Sequence, residues 1–234
     1  DPRVFADRGE DSCPLPNRLL VNGSMGIKQV REASYPMDRV LPVEALRYLY
    51  LAKVDGSERR EINESNRTLL VTTGSLLEEN KAQLRFLSEV ATVNGLKKYG
   101  KIVIKAHPGL DIKELLNEIR LEFSYTIEQR HLSEIWSDID VVFAANSTGV
   151  SLEAAWLGIP VIIMGAVDAM NNHPFFDIPE VKFVGDRKSF KEQLENPQRV
   201  LIPEDFFFLD EGLIYWRRLL EESLMRSCGE TDQP

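Results

Sequence analysis

The alternation of apolar and polar positions changes character near residue 67. Before it the pattern is broken. Residues 1–16 (DPRVFADRGEDSCPLP) are polar, proline-containing and aperiodic, as expected of a tail or linker. RLLVNGS (18–24) is a short apolar run stopped by Asn-Gly and reads as a strand and turn. After a loop, PVEALRYLYLAK (42–53) places Val43, Leu46, Leu49 and Tyr50 in a helical stripe that Pro42 can start. DGSERREINESN (55–66) is a solvated linker.

From residue 67 onward strands and helices alternate. RTLLVTTG (67–74) predicts a buried strand, and SLLEENKAQLRFLSEVATVNG (75–95) a helix with Ser75 and Glu78 in capping-box spacing and Gly95 at its end. KIVIKAHPG (101–109) predicts a strand running into a His-Pro turn, followed by a helix over 112–122, a strand over 123–127 and a short helix over 131–139. VVFAAN, TGVSLEAAWLG and PVIIMG then read as strand, helix and strand, with a last strand at 181–185 and a helix at 186–197. The apolar runs are continuous rather than alternating, as in parallel strands covered on both faces. The expected class is therefore α/β, a doubly wound parallel sheet of Rossmann-like type spanning 67–200. Residues 1–66 are expected as tail, linker and remnant of a preceding domain. Residues 201–234 are expected as a C-terminal tail whose Leu213, Trp216, Leu219 and Leu220 form an amphipathic helix.

In such a sheet ligands bind beyond the carboxyl ends of the strands. Those ends carry Gly74 and Ser75, Lys105 with His107 and Pro108, and Asn146-Ser147-Thr148-Gly149. Small hydroxyl residues and a glycine at a helix start suit a phosphate, although capping by Asn146 or Ser147 alone would account for them. The P-loop string and its lysine are missing. Glu153 is the only charged side chain between 141 and 165, which points to a carboxylate turned toward the cleft; an acid favoured by the helix start is the alternative. His107 ends a strand beside a proline that fixes the turn, and Lys105 lies two residues earlier. His131 reads as a cap or surface residue, and His173 follows the PVIIMG strand within reach of the same cleft. The three histidines are far apart and lack carboxylates at ligand spacing, so no metal site is expected.

In this order, KAHP at one strand end and NSTGVSLEAAWLGIPVIIMG two βα steps later resemble the C-terminal, donor-binding half of a GT-B glycosyltransferase. Within that superfamily the chain is most similar to bacterial capsule and surface-polysaccharide enzymes with an HP motif. These include polysialyltransferase-like sialyltransferases, Kdo transferases and the CDP-glycerol polymerases of teichoic acid synthesis. The resemblance covers residues 67–195. It implies that His107 and Pro108 frame the nucleotide, that Ser147 and Thr148 hold phosphate, and that Glu153 stands where many GT-B enzymes keep a ribose-binding acid. Gly158-Ile159-Pro160 matches a G-x-P whose role is structural. A nucleotide-sugar is then a substrate, CMP- or CDP-linked donors are favoured, and no metal or other cofactor is expected at the donor site. The acceptor would be a saccharide or lipid-linked, and the protein cytoplasmic, peripheral at the inner face of the cell membrane. An isomerase like the UDP-GlcNAc 2-epimerases and a non-catalytic polysaccharide-assembly module are the alternatives. A GT-B enzyme has two Rossmann-like halves, and residues 1–66 cannot form one. Since the chain opens on Asp1 rather than methionine, we expect a fragment of a longer enzyme, or a partner domain that supplies the acceptor half.

Composition narrows the picture further. A net charge of −9 over 234 residues argues against a nucleic-acid partner, which needs a basic face. The only two cysteines, Cys13 and Cys228, lie near opposite ends and offer no compact ligand spacing; two reduced thiols are expected, with a disulfide as the alternative.

Overall fold

The computed structural model describes residues 15–54, 66–92, 95–166, 171, 173–176, 178 and 180–229. Most of the expected N-terminal tail, including Cys13, and nearly all of the 55–66 linker lie outside the described residues. The chain divides into two compact units, residues 56–201 and residues 1–55 with 202–234.

The unit of residues 56–201 is built on six parallel strands. They are β3 (Arg67–Thr72), β4 (Tyr99–Lys105), β5 (Thr126–Ile127), β6 (Val141–Ala144), β7 (Val161–Met164) and β8 (Phe183–Val184), in the order β5-β4-β3-β6-β7-β8. The helices are α2 (Leu77–Thr92), α3 (Ile112–Glu118), α4 (Val150–Trp156) and α5 (Arg187–Glu195). The expected α/β, doubly wound parallel class is observed. One face of the sheet buries Leu69, Val71, Ile104, Phe143 and Ile162 against Leu84 and Leu87 of α2 and Phe190 and Leu194 of α5. The Phe143 and Phe190 rings lie 4.3 Å apart, and both side chains are fully buried. Leu70, Val142 and Ile163 alternate to the other side of the sheet and are equally buried, with α4 packed on β6 and β7. Both faces are therefore covered, which is why the strand sequences read as unbroken apolar runs.

Several elements are shorter than the sequence suggests. The strand expected over 123–127 pairs only at Thr126–Ile127, and the helix expected over 131–139 is two 3-10 turns, Leu132–Glu134 and Trp136–Asp138. The expected capping box is not formed. Glu78 pairs with Lys81 instead of reaching back toward Ser75.

The other unit holds β1 (Leu19–Val21) and β2 (Val40–Pro42), a parallel pair, with α1 (Ser24–Glu32) between them and Val21, Val30 and Tyr35 as a small core. The helix expected over 42–53 begins only at Leu46 and is of 3-10 type. The backbone before it is committed elsewhere: Pro42 pairs with Val21, the Val43 N–H donates to Val21 O, and the Ala45 N–H donates to Phe208 O. Residues 205–208 run close against the β1–α1 turn, so that a Cβ on Gly23 would lie 1.8 Å from the Phe206 carbonyl oxygen. Phe206 and Phe207 are buried, and Phe207 stacks on Tyr48 with centroids 4.3 Å apart. The C-terminal helix α6 (Ile214–Gly229) follows the positive-φ residue Leu213 (φ 53°). Of its expected apolar stripe Trp216 and Leu219 are half-buried and Leu220 is exposed.

Glu44, 1% exposed, fixes the start of α6. Its carboxylate accepts from the Tyr215 N–H (2.8 Å) and the Trp216 N–H (3.1 Å), while its backbone oxygen accepts from Trp216 Nε1 (2.9 Å). A remote side chain thus caps first-turn amides that have no intrahelical partner. Glu44→Ala is expected to lower stability by about 1–3 kcal/mol, read as an earlier midpoint in urea unfolding with α6 losing ellipticity first.

Candidate functional site

The sheet order places β3, the first strand of its unit, in the middle. The chain moves outward through β4 and β5 on one side, then returns to β6 on the other. The carboxyl ends of β3 and β6 therefore flank a topological switch point, the place at which open α/β sheets form their ligand crevice. Thr72 lies opposite Ala144 in the register, so Gly74-Ser75 and Asn146-Ser147 leave the sheet side by side.

Three polar residues on the inner face of α2 shape this crevice, and none was singled out from the sequence. Glu79, Asn80 and Gln83 are buried at 6%, 0% and 0% exposure. Gln83 Nε2 donates to the carbonyls of Thr72 (3.2 Å) and Phe143 (3.1 Å), stitching β3 to β6. Asn80 reads both sides of Gly74: its Oδ1 accepts from the Gly74 N–H (2.8 Å) and its Nδ2 donates to the Gly74 carbonyl (3.0 Å). The Glu79 carboxylate accepts from the Ser147 N–H (3.0 Å to Oε1) and from the Ser147 hydroxyl (2.5 Å to Oε2). Ser147 Oγ in turn accepts from the Ser75 N–H at 3.2 Å. The signal was present in the sequence. Positions 80, 83, 84, 87 and 90 form one helical stripe, and two of its five members are amides.

The predicted site residues fall into two groups. Gly74, Ser75, Ser147 and Asn146 come together at the switch point. Gly74 is required there by close approach, since a Cβ would lie 2.0 Å from Ser147 Oγ and 3.1 Å from Glu79 Oε2. Asn146 donates through Nδ2 to the Met164 carbonyl (3.2 Å) and to Asn171 Oδ1 (3.0 Å), tying the end of β7 to the loop. His107 joins them from β4 because its backbone N–H donates to Thr73 Oγ1 at 2.8 Å. Its Nδ1 accepts from the Gly109 N–H at 3.2 Å, so the proton sits on Nε2. Among the described residues Nε2 has no partner, and Pro108 beside it is exposed. The ring thus presents an N–H donor held by its own turn.

The other predicted residues are engaged in the scaffold. Lys105 donates its ammonium to the Arg130 carbonyl at 2.6 Å, toward the end of β5. Thr148 is buried; its Oγ1 accepts from the Val150 N–H (3.4 Å) and its carbonyl accepts from the Ser151 hydroxyl (3.3 Å). Gly149 is the residue at which α4 starts. Glu153 is buried, at 3% exposure, in the first turn of α4. Helix α4 has seven residues, so the field expected at its start is that of two turns.

His173, expected within reach of the cleft, is a buried strut beneath the loop. Its Nδ1 accepts from the Phe175 N–H (3.0 Å), which leaves Nε2–H to donate to Ser151 Oγ at 2.7 Å. Ser151 passes the chain on to the Thr148 carbonyl. Burial pushes the imidazole pKa down from 6.5 to about 4. His131 stands exposed before the 3-10 turn at Leu132 and makes no side-chain cap there. Among the described residues no group of three or more His, Cys, Asp or Glu is placed to hold a metal ion. A separate cavity of about 750 Å³ lies on the amino-terminal side of β7 and β8, lined by Val161, Lys182, Phe183, Gln193 and Arg199 among others. It shares no residue with the crevice.

No family model and no curated protein matches the chain. Among solved structures it is similar to the UDP-GlcNAc 2-epimerase of Methanocaldococcus jannaschii in complex with UDP-GlcNAc and UDP, at 18% identity and a TM-score of 0.59, covering 88% of this chain and 61% of that one. It is also similar to the UDP-GlcNAc 2-epimerase of Neisseria meningitidis bound to UDP-GlcNAc (16%, 0.58, 88% and 62%). A third is the wall teichoic acid polymerase TagF (14%, 0.53, 93% and 59%). These likenesses show the fold alone, a parallel α/β sheet flanked by helices. The chain spans less than two thirds of the length of each of these structures.

Two expectations follow from the geometry. Gly74→Ala should cost about 1–3 kcal/mol, because the new methyl meets a hydroxyl that Glu79 and the Ser75 amide hold in place; denaturant unfolding measures it. For His173 the folded pKa lies below the unfolded one, so between pH 6.5 and about 4 the unfolded chain takes up a proton that the folded chain does not. Its contribution is present above pH 6.5 and is lost as pH falls toward 4, up to roughly 3 kcal/mol. Stability of His173→Gln, followed by urea midpoints from pH 7 to pH 4, should fall less steeply than that of the parent.

Proposed function

We propose that residues 67–200 are the donor-binding domain of a GT-B-type glycosyltransferase in bacterial surface-polysaccharide synthesis, and that the crevice between β3 and β6 receives a nucleotide-sugar. The observation that carries this reading is position. Ser75, His107 and the 146–149 segment come from three neighbouring strands and meet at the one switch point of the sheet, where open α/β folds bind nucleotides. His107 supplies a preformed N–H donor and Ser75 a hydroxyl, while the Ser147 N–H and hydroxyl, which donate to Glu79, would hold a phosphate once released from that carboxylate. Fixed donors of this kind stabilise a departing nucleoside phosphate without solvent reorganisation, and the reading assigns no metal to that step.

The HP motif favours a cytidine-linked donor, and a TagF variant soaked with CDPG is among the similar structures. The reading assigns the general base and the saccharide or lipid-linked acceptor to parts of the enzyme beyond this domain. Peripheral association with the inner membrane face would come with a lipid-linked acceptor; no helix among the described residues is long and apolar enough to cross a membrane. A second reading, an isomerase acting on a UDP-sugar, has in its favour the epimerases among the similar folds.

Calorimetric titration with CMP, CDP, UMP, UDP and GDP, with and without magnesium, tests the proposal. Saturable, metal-independent binding of a cytidine nucleotide is expected, weakened about tenfold by His107→Ala at an unchanged melting temperature. Affinity that survives His107→Ala intact would remove that residue from the site. A preference for UDP would favour the isomerase, which product analysis with a labelled UDP-sugar then decides.

A further inference from the structure

The crevice contains an anion of its own. Glu79 is 6% exposed, and among the described residues no lysine or arginine pairs with it; Lys81 on the same helix goes to Glu78 and Glu118. Its charge is met by the amide and hydroxyl of Ser147, the donors that the NSTG segment would offer a phosphate. Burying a carboxylate against one serine is a costly way to fix a loop. The neighbouring loop contact, Asn80 with Gly74, is made by a neutral amide that bonds both backbone groups. Glutamine at 79 would have the same reach and an acceptor oxygen without the charge. What the carboxylate adds is negative charge at the point where a ligand phosphate would seek Ser147.

We propose that Glu79 is a resident anion which gates the crevice: its carboxylate holds the Ser147 N–H and hydroxyl, and a phosphate-bearing ligand binds by taking these donors from it. The contact therefore acts as a built-in brake on anion affinity. The proposal rests on the donor-domain reading only for the nucleoside part of the ligand, since any phosphate at Ser147 meets the same competitor.

The test is calorimetric titration of the full chain and of Glu79→Gln with inorganic pyrophosphate, CDP, UDP and the uncharged nucleosides cytidine and uridine. Glu78→Gln serves as a control, removing the same unit of charge from an exposed site one residue away. Glu79→Gln should bind pyrophosphate about tenfold more tightly than the parent. Glu78→Gln should bind it as the parent does, and nucleoside affinity should not change. A gain for pyrophosphate with no preference of nucleotides over it would uphold the gate and reject the nucleotide reading. Equal or weaker pyrophosphate binding by a Glu79→Gln chain with an unaltered circular dichroism spectrum would overturn the gate, whether or not nucleotides bind. If that variant does not fold, the parent chain still answers. Saturation with pyrophosphate should move the Ser147 amide resonance in a nitrogen-proton correlation spectrum, and a resonance that stays in place overturns the proposal.

Discussion

The crevice depends on two loops being held at a fixed distance, and one helix sets that distance. Over its first two turns α2 sends Glu79 to Ser147, Asn80 to Gly74 and Gln83 to the carbonyls of β3 and β6. The carboxyl ends of two parallel strands are thereby joined through side chains in addition to the backbone, where the Ala145 N–H donates to the Thr72 carbonyl. The packing is close enough that only glycine fits at position 74. Farther along, α2 turns apolar, and Leu84, Leu87 and Val90 anchor it in the core. One element thus has two tasks in sequence, holding the loops at its start and adhesion at its end.

A second network works from below. His173, Ser151 and Thr148 form a directed chain of hydrogen bonds in which each proton position follows from the Phe175 amide donating to Nδ1. Asn171 joins it to Asn146 by accepting from the His173 N–H and from Asn146 Nδ2. The 146–149 segment is therefore braced from α2 on one side and from the loop after β7 on the other. A loop braced in this way has little conformational entropy left to lose on binding.

The sheet was legible because its strands are buried on both faces and so carry uninterrupted apolar runs at 69–71, 102–104, 141–145 and 161–164. Their spacing around helices implied parallel order, and from that the carboxyl edge of the sheet could be placed. What the sequence hid was partnership. Lys105 and Thr148 stand at the right edge but are bound by the Arg130 carbonyl and the Val150 amide, and linear spacing does not encode such contacts. Glu153 is conspicuous in the sequence for its charge, while Glu79, which holds Ser147, sits in a run of ordinary helix formers. The helix expected over 42–53 failed for the same reason, since its first amides are taken by β1 and by residue 208.

The sheet also tapers. Its central strands span four to seven residues, yet both margins, β5 and β8, pair over only two. An edge strand is a template on which another chain can dock by backbone hydrogen bonding, and its hazard grows with its length. Margins this short offer a foreign strand almost no ladder to extend. The apolar centre can therefore be as rich in valine and isoleucine as packing demands without making the folded protein prone to edge-to-edge polymerisation.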